Sequence, residues 1–267
     1  MGLFDVHAHL THPDLLADIG GVIERARSAG LTSIVSNGLN PEDNAAVAAL
    51  AERYPMVKPA FGLYPVDAVL KDMLAAGESY PGQRRVWPTN DAIDWVQDHV
   101  EEAFAVGEIG LDGHWVKEPF WPAQEEAFKR LVRIAMDAGK PIIIHTRKRE
   151  RRTLELLDEL GARRVNWHCF TSRLSLAREI ASRGHFLSIP ANVRRSQSFT
   201  GMLAGLPRER LLLETDAPYL GPEKDTTNEP ANVKHTVTYA AELWQTSESA
   251  AAAQLAENFE ALFGVAP

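Results

Sequence analysis

The chain has 267 residues, 45% hydrophobic and 24% charged, an ordinary composition for a globular protein of one large α/β domain or two small ones. Its formal net charge of −8, from 28 basic and 36 acidic residues, argues against a protein that coats nucleic acid through overall charge; a local basic groove or bound cations stay compatible with it. No apolar run reaches the roughly 18 residues of a membrane-spanning helix.

The opening M-G-L-F-D-V is charged too early for a signal peptide and has Val6 where a myristoylation motif needs Ser or Thr. Cys169, the single cysteine, has no internal disulfide partner, which fits a reducing cytoplasm. The first predicted strand, 3–8, carries Asp5, His7 and, just beyond it, His9 at alternate positions, so all three face one side. Burying such groups together is costly unless something pairs them. Ile19, Val22, Ile23 and Ala26 then share one helix face that stops at Gly30. A strand at 32–37, a helix at 41–53 and a strand at 57–62 follow. The segment 63–90 is long and contains Pro and Gly; it serves either the active-site mouth or a surface excursion. Beyond it come a helix near 91–101, a strand at 103–108 and a helix at 122–138 with Phe128, Leu131, Ile134 and Ala135 on one face. Strands at 141–145, 164–168, 185–189 and 211–216 are joined by helices near 149–160 and 172–183, and helices at 232–245 and 248–262 end the chain.

Eight strands alternating with helices predict a (β/α)8 TIM barrel, and no linker or repeat divides 1–267, so a single domain is expected. The Gly-rich turn of a doubly wound dinucleotide fold is absent after the first strand. In a barrel the C-terminal strand ends gather at one mouth. His7 and His9 lie on the first strand, Glu108 at the expected end of the fourth, His145 of the fifth, His168 of the sixth and Asp216 of the eighth. One histidine at a strand end is usually a satisfied polar residue. Six such groups converging make a nitrogen-and-oxygen ligand set for one or two divalent metals, with Glu108 the natural bridging carboxylate. No Ser-His-Asp or Cys-His scheme competes. Cys169, next to His168 on the predicted strand, is expected to face away and pack as a small residue. Glu214 shares a face of the eighth strand and either supports a ligand histidine or is a paired interior carboxylate; Asp5 lies deeper than the two histidines and is expected to stand behind them.

Arg147, Lys148, Arg149, Arg151 and Arg152 follow the fifth strand, Arg194 and Arg195 the seventh, and Arg84 and Arg85 the third, all on the mouth side. Most read as a solvated first helical turn, although cations here can contact phosphates. Trp87, Trp115, Trp121 and Tyr64 are candidates for stacking bases, each alone better explained by packing.

D-V-H-A-H-L, G-E-I-G-L-D (107–112), P-I-I-I-H-T-R (141–147), H-C-F (168–170), E-T-D-A-P-Y-L (214–220) and N-E-P-A-N-V (228–233) occur in order over nearly the whole chain. Together they resemble the TatD family of metal-dependent deoxyribonucleases in the amidohydrolase superfamily. The resemblance implies His7, His9, Glu108 and Asp216 as ligands of one metal, and Glu108, His145 and His168 as ligands of a second. It implies Mg²⁺ or Mn²⁺, with Zn²⁺ an alternative, and DNA as the substrate, hydrolysed at a phosphodiester, often from a 3′ end. Two cations would activate a water or hydroxide, with Asp216 and Glu108 the catalytic carboxylates. Arg147 matches the basic position of an H-S-R-like motif and, with Tyr64, is a candidate substrate contact. Tyr64 stands in G-L-Y-P where the family has G-x-H-P, and Lys224-Asp225-Thr226-Thr227 lacks the basic residue expected just before N-E-P. Both departures lie on the substrate side. They leave open a hydrolase of a small ester, lactone or amide, which would show an enclosed apolar pocket. A metal-bound scaffold without catalysis is a third reading and requires a closed coordination sphere. No obligate protein partner is indicated.

Overall fold

The computed structural model describes residues 2–81 and 85–267. Eight parallel strands pair in chain order: β1 (Leu3–Ala8), β2 (Leu31–Asn37), β3 (Val57–Phe61), β4 (Ala105–Asp112), β5 (Ile142–Arg147), β6 (Val165–Trp167), β7 (Phe186–Ile189) and β8 (Leu211–Leu213). The sheet closes where β1 meets the segment after β8. Ala8 bridges to Ala217, Asp216 N donates to His7 O at 2.8 Å, and His9 N donates to Ala217 O at 2.8 Å. The result is the expected TIM barrel. Runs such as Ile142-Ile143-Ile144 and Leu211-Leu212-Leu213 are wholly buried because parallel strands are covered on both faces.

The helices are α1 (Pro13–Leu16), α2 (Ile19–Ser28), α3 (Pro41–Arg53), α4 (Leu70–Ala75), α5 (Thr89–His99), α6 (Trp121–Asp137), α7 (Glu150–Leu160), α8 (Leu174–Ser182), α9 (Gln197–Gly205), α10 (Val233–Trp244) and α11 (Glu248–Phe263). Their ends follow capping chemistry. Asn40 accepts from Asp43 N at 3.2 Å ahead of Pro41, and α7 ends on Gly161 in the left-handed region at φ 72°. Sequence periodicity did not reveal α9, whose Q-S-F-T-G-M-L-A-G is short and carries Gly201 mid-helix. The segment after β3 is not a bare excursion: it contains α4 and packs Val66, Val69, Leu70 and Met73 with Val116 into a small core of its own.

Strand limits correct four placements, the first being His145, which lies two residues inside the end of β5 at Arg147. β4 runs through Glu108 to Asp112, so Glu108 sits mid-strand and does not end it; Gly107 and Gly110 obscure the alternation there. Gly110 has φ 152° and its missing Cβ would lie 1.8 Å from His145 O, so only glycine lets β4 and β5 meet at this point. β6 stops at Trp167 and β8 at Leu213, which puts His168 and Asp216 on the turns that follow. Cys169 (φ 43°) and Asp216 (φ 56°) are both left-handed, so strand alternation does not govern them.

The C-terminal half of α11 lies across the N-terminal end of the barrel. Phe259 packs on Phe4 of β1 (ring centroids 4.7 Å apart) and on Phe104 just before β4 (6.2 Å). Asn258 Nδ2 donates to Leu211 O at 2.7 Å, and Arg164 Nε donates to Leu262 O at 2.9 Å. The opposite, C-terminal end is left open. Phe259→Ala is expected to cost about 3–5 kcal/mol through cavity formation, read as a lowered unfolding midpoint. A change under about 1 kcal/mol would show that this ring does not seal the barrel.

Candidate metal centre

The side chains singled out along the chain come together at the open end. His7 Nε2 and His9 Nε2 are 3.3 Å apart. Both lie 3.5 Å from Glu108 Oε2, and they lie 3.8 and 3.5 Å from Asp216 Oδ1. The other Glu108 oxygen turns the opposite way: Oε1 is 2.7 Å from His145 Nδ1 and 3.4 Å from His168 Nε2. His7 and His168 stack with ring centroids 3.6 Å apart. Glu108 thus presents one oxygen to each of two histidine pairs.

These spacings suit a cation. Ligands bonded at about 2.0–2.2 Å to one ion stand roughly 3–3.6 Å from each other. The groups His7–His9–Asp216 and His7–Glu108–His168 each offer three donor atoms within 4.8 Å of one another. Nitrogen and carboxylate donors of this kind can hold divalent first-row metals or Mg²⁺.

Burial and neighbours set the charge states of the free cluster. Burial pushes His7 down to about 4. Burial would raise Glu108 too, but hydrogen bonds from His145, His168 and His7 hold it well below the usual carboxylate range. His168 is raised well above its ordinary value, because Glu214 and Glu108 outweigh its burial. His145 is raised against burial by Asp112 and Glu108, and His9 by Asp216 and Glu108.

Around this cluster lie groups that hold it. Glu214 Oε2 is 3.4 Å from His168 Nδ1, accepts from Ser188 Oγ at 2.7 Å, and leaves Oε1 to the Cys169 amide at 2.8 Å. Asp5 does not hydrogen-bond the His7 ring, whose buried Nδ1 has no hydrogen-bond partner among the described residues. Its carboxylate accepts from His7 N at 3.1 Å, from Thr215 N at 3.0 Å and from the Thr215 hydroxyl, so it ties β1 to the turn that carries Asp216. Burial pushes the Asp5 carboxyl up to about 8, against those hydrogen bonds. Three contributors had no role assigned from sequence. Asp112 Oδ2 lies 3.1 Å from His145 Nε2, leaving Nδ1 toward Glu108. Thr215 links Asp5 to Ala217 N. Asn228 Nδ2 donates to Thr215 O at 2.9 Å and to Tyr219 O at 2.6 Å, bracketing Asp216. Asp112 and Asn228 stand inside quoted motifs, and Asp112 lies four residues after Glu108 on the same strand face, a signal that was readable.

A cavity of about 1060 Å³ opens above the cluster. Tyr64 lines it, with its ring edge-on to His145 at 4.9 Å. Trp115, Tyr80, Arg85 and Arg147 line it too, as do Thr11, Asn40, Glu42 and Asp43. Cys169 also lines it, against the expectation that it packs away, because β6 has already ended. Most of the basic run is committed elsewhere. Arg149 and Arg152 pair with Glu125, Arg151 with Glu179, Arg194 with Glu242, and Arg195 donates to Gly221 O. Trp121 lies under Arg149 and donates to Val116 O, and Trp87 packs on the barrel core; neither lines the cavity. Arg84 lies outside the described residues.

Comparison with known proteins places the chain among relatives of the same fold. An uncharacterised metal-dependent hydrolase of Bacillus subtilis, YabD, is 32% identical over 98% of this chain and 99% of its own length. The human deoxyribonuclease TATDN3 is 31% identical over 91% of this chain and 88% of its own. The crystal structure of YjjV, a TatD homologue from Escherichia coli, superposes with a TM-score of 0.85 at 26% identity, covering 98% of both chains. A family profile described as TatD related DNase matches residues 4–264, and the chain belongs to the TatD family of metal-dependent hydrolases.

Proposed function

We propose that this protein hydrolyses phosphodiester bonds of DNA with two divalent cations, Mg²⁺ or Mn²⁺ in preference to Zn²⁺. The observation that carries this reading is the division of Glu108, one oxygen toward His7 and His9 and the other toward His145 and His168. His7, His9, Glu108 and Asp216 hold one ion in this reading, and Glu108, His145 and His168 the second. Bound there, the cations lower the pKa of a water and offset the charge that develops on the phosphoryl group. The chain's own groups do the rest. Asp216, partly exposed at the rim of the cluster, is placed to accept the proton of the attacking water. Asp112 fixes the ring of His145, and Glu214 that of His168. Arg147, exposed at the end of β5 and lining the cavity, meets a phosphate of the substrate. Tyr64 donates a hydrogen bond where the family has an imidazole, and does so without changing charge near neutrality. An open cavity with Arg85 and Arg147 in its lining favours a polyanionic strand over a small apolar ester.

The substrate named by TATDN3 and by the TatD exonuclease of Edwardsiella piscicida, 32% identical over 96% of this chain, supports nucleic acid. One domain spanning 1–267 is part of the same reading. The single cysteine supports a cytoplasmic setting, which recovery of the protein in a membrane-bound or secreted fraction would contradict. Among the described residues no helix is long and apolar enough to cross a membrane.

End-labelled single-stranded DNA incubated with Mg²⁺ or Mn²⁺ tests the proposal. Glu108→Ala is expected to lose more than the roughly 10–100-fold that removal of an outer-shell partner costs, and His7→Ala to lower bound metal. Wild-type protein that leaves DNA intact while turning over a lactone or ester would reverse the substrate assignment. His7→Ala with unchanged metal content would reverse the ligand assignment.

Proton release gives a second check. His9, His145 and His168 are raised in the free cluster, so cations compete there with protons. Metal affinity is therefore expected to fall as pH falls through neutrality, with protons released on binding. Calorimetric titration in two buffers of different ionisation enthalpy measures that release; identical heats in both would contradict this ligand set.

A further inference from the structure

The loops after β3 and β4 build something that barrel closure and cation binding do not require. The small core of Val66, Val69, Leu70, Met73 and Val116 roots a half-buried Trp115, which lines the cavity above the cluster. Tyr80 meets that indole edge-on, with ring centroids 5.5 Å apart and planes at 88°. Trp115 is also tied to the proposed ligands. Asp112 uses Oδ1 to accept from Trp115 N at 2.8 Å and Oδ2 to face His145 Nε2 at 3.1 Å, so one carboxylate separates the Trp115 backbone from a ligand ring. The neighbouring strand end carries Arg147, whose carbonyl accepts from Gly113 N at 2.7 Å.

We propose that Trp115, edged by Tyr80, stacks the nucleobase adjacent to the phosphate held at Arg147 and the carboxylate–imidazole cluster, and so makes base identity matter at that position. The inference rests on the nuclease reading and adds to it a specificity-determining residue. A ring seated in a preformed core loses little freedom on binding, and an indole face accepts any base while holding larger rings more strongly. Asn40, Glu42 and Asp43, which also line the cavity, set carboxylates against a phosphate, and the His12 and Tyr219 rings of its lining stand edge-on to one another beside His9. The order expected at this nucleotide is purine, then pyrimidine, then an abasic site.

The test compares kcat/KM of the metal-loaded protein on single-stranded oligonucleotides ending in adenosine, thymidine or an abasic residue. Wild type is expected to favour the adenosine end over the abasic end by about 5- to 100-fold, mainly through KM. That ratio collapses toward one in Trp115→Ala and is largely retained in Trp115→Phe. A ratio unchanged by Trp115→Ala overturns the stacking role while the nuclease reading stands. An equal loss on all three ends, with a lowered unfolding midpoint, also overturns it and marks Trp115 as packing alone. Wild type that cleaves none of the three defeats the nuclease reading itself.

Discussion

A carboxylate buried among four imidazoles must be matched by positive charge. Glu108, on a strand with both faces covered, has that demand built into its position. In the free protein Glu108 and its neighbouring carboxylates outweigh burial to favour protons on His145 and His168, while burial pushes His7 the other way, down to about 4. Divalent cations answer the demand better than protons, because one ion satisfies several donors that protonated imidazoles would set against each other. In the proposed function the same charge that settles the cluster is available to a phosphoryl group at the open end of the barrel.

Much of the surrounding structure keeps that cluster from relaxing. The missing Cβ of Gly62 would sit 2.4 Å from Glu108 N, so β3 and β4 approach closely only because that residue is glycine. The barrel closes through the same residues that carry the proposed ligands: the His7 and His9 backbone pairs with Asp216 and Ala217, and the buried Asp5 carboxylate takes the Thr215 amide and hydroxyl. Fold closure and site assembly are thus one set of hydrogen bonds. α11 packs Phe259 across the other end, on Phe4 and Phe104.

The sequence made the barrel and the six clustering side chains legible for a local reason. Period-two alternation puts His7 and His9 on one face, and the apolar runs around His145 and His168 announce buried strands. What stayed hidden depends on contacts between distant segments. Thr215 is 210 positions from Asp5, and its role exists only once the barrel is closed. The basic run after β5 reads mostly as a solvated first helical turn, but that Arg149 and Arg152 pair with Glu125 and Arg151 with Glu179, from neighbouring helices, could not be read from it. Cys169 was misplaced by extending strand alternation two residues past the true end of β6. Gly107 and Gly110 obscured the length of β4, so that Asp112, though at a readable spacing from Glu108, was not given its place on the far nitrogen of His145.

The mouth is uneven: Trp115, Tyr80, Arg85 and Arg147 come from the loops after β3, β4 and β5, whereas Glu42 and Asp43 come from the segment after β2. That unevenness gives a bound strand one set of loops to lie on, but it has meaning only if Glu108 bridges two cations. Anomalous diffraction from a crystal soaked in Mn²⁺ measures this directly. Two peaks are expected at roughly 2.0–2.6 Å from their ligands, one against Glu108 Oε2 with His7, His9 and Asp216, the other against Oε1 with His145 and His168. No peak at Glu108, or peaks held by other side chains, would contradict the account.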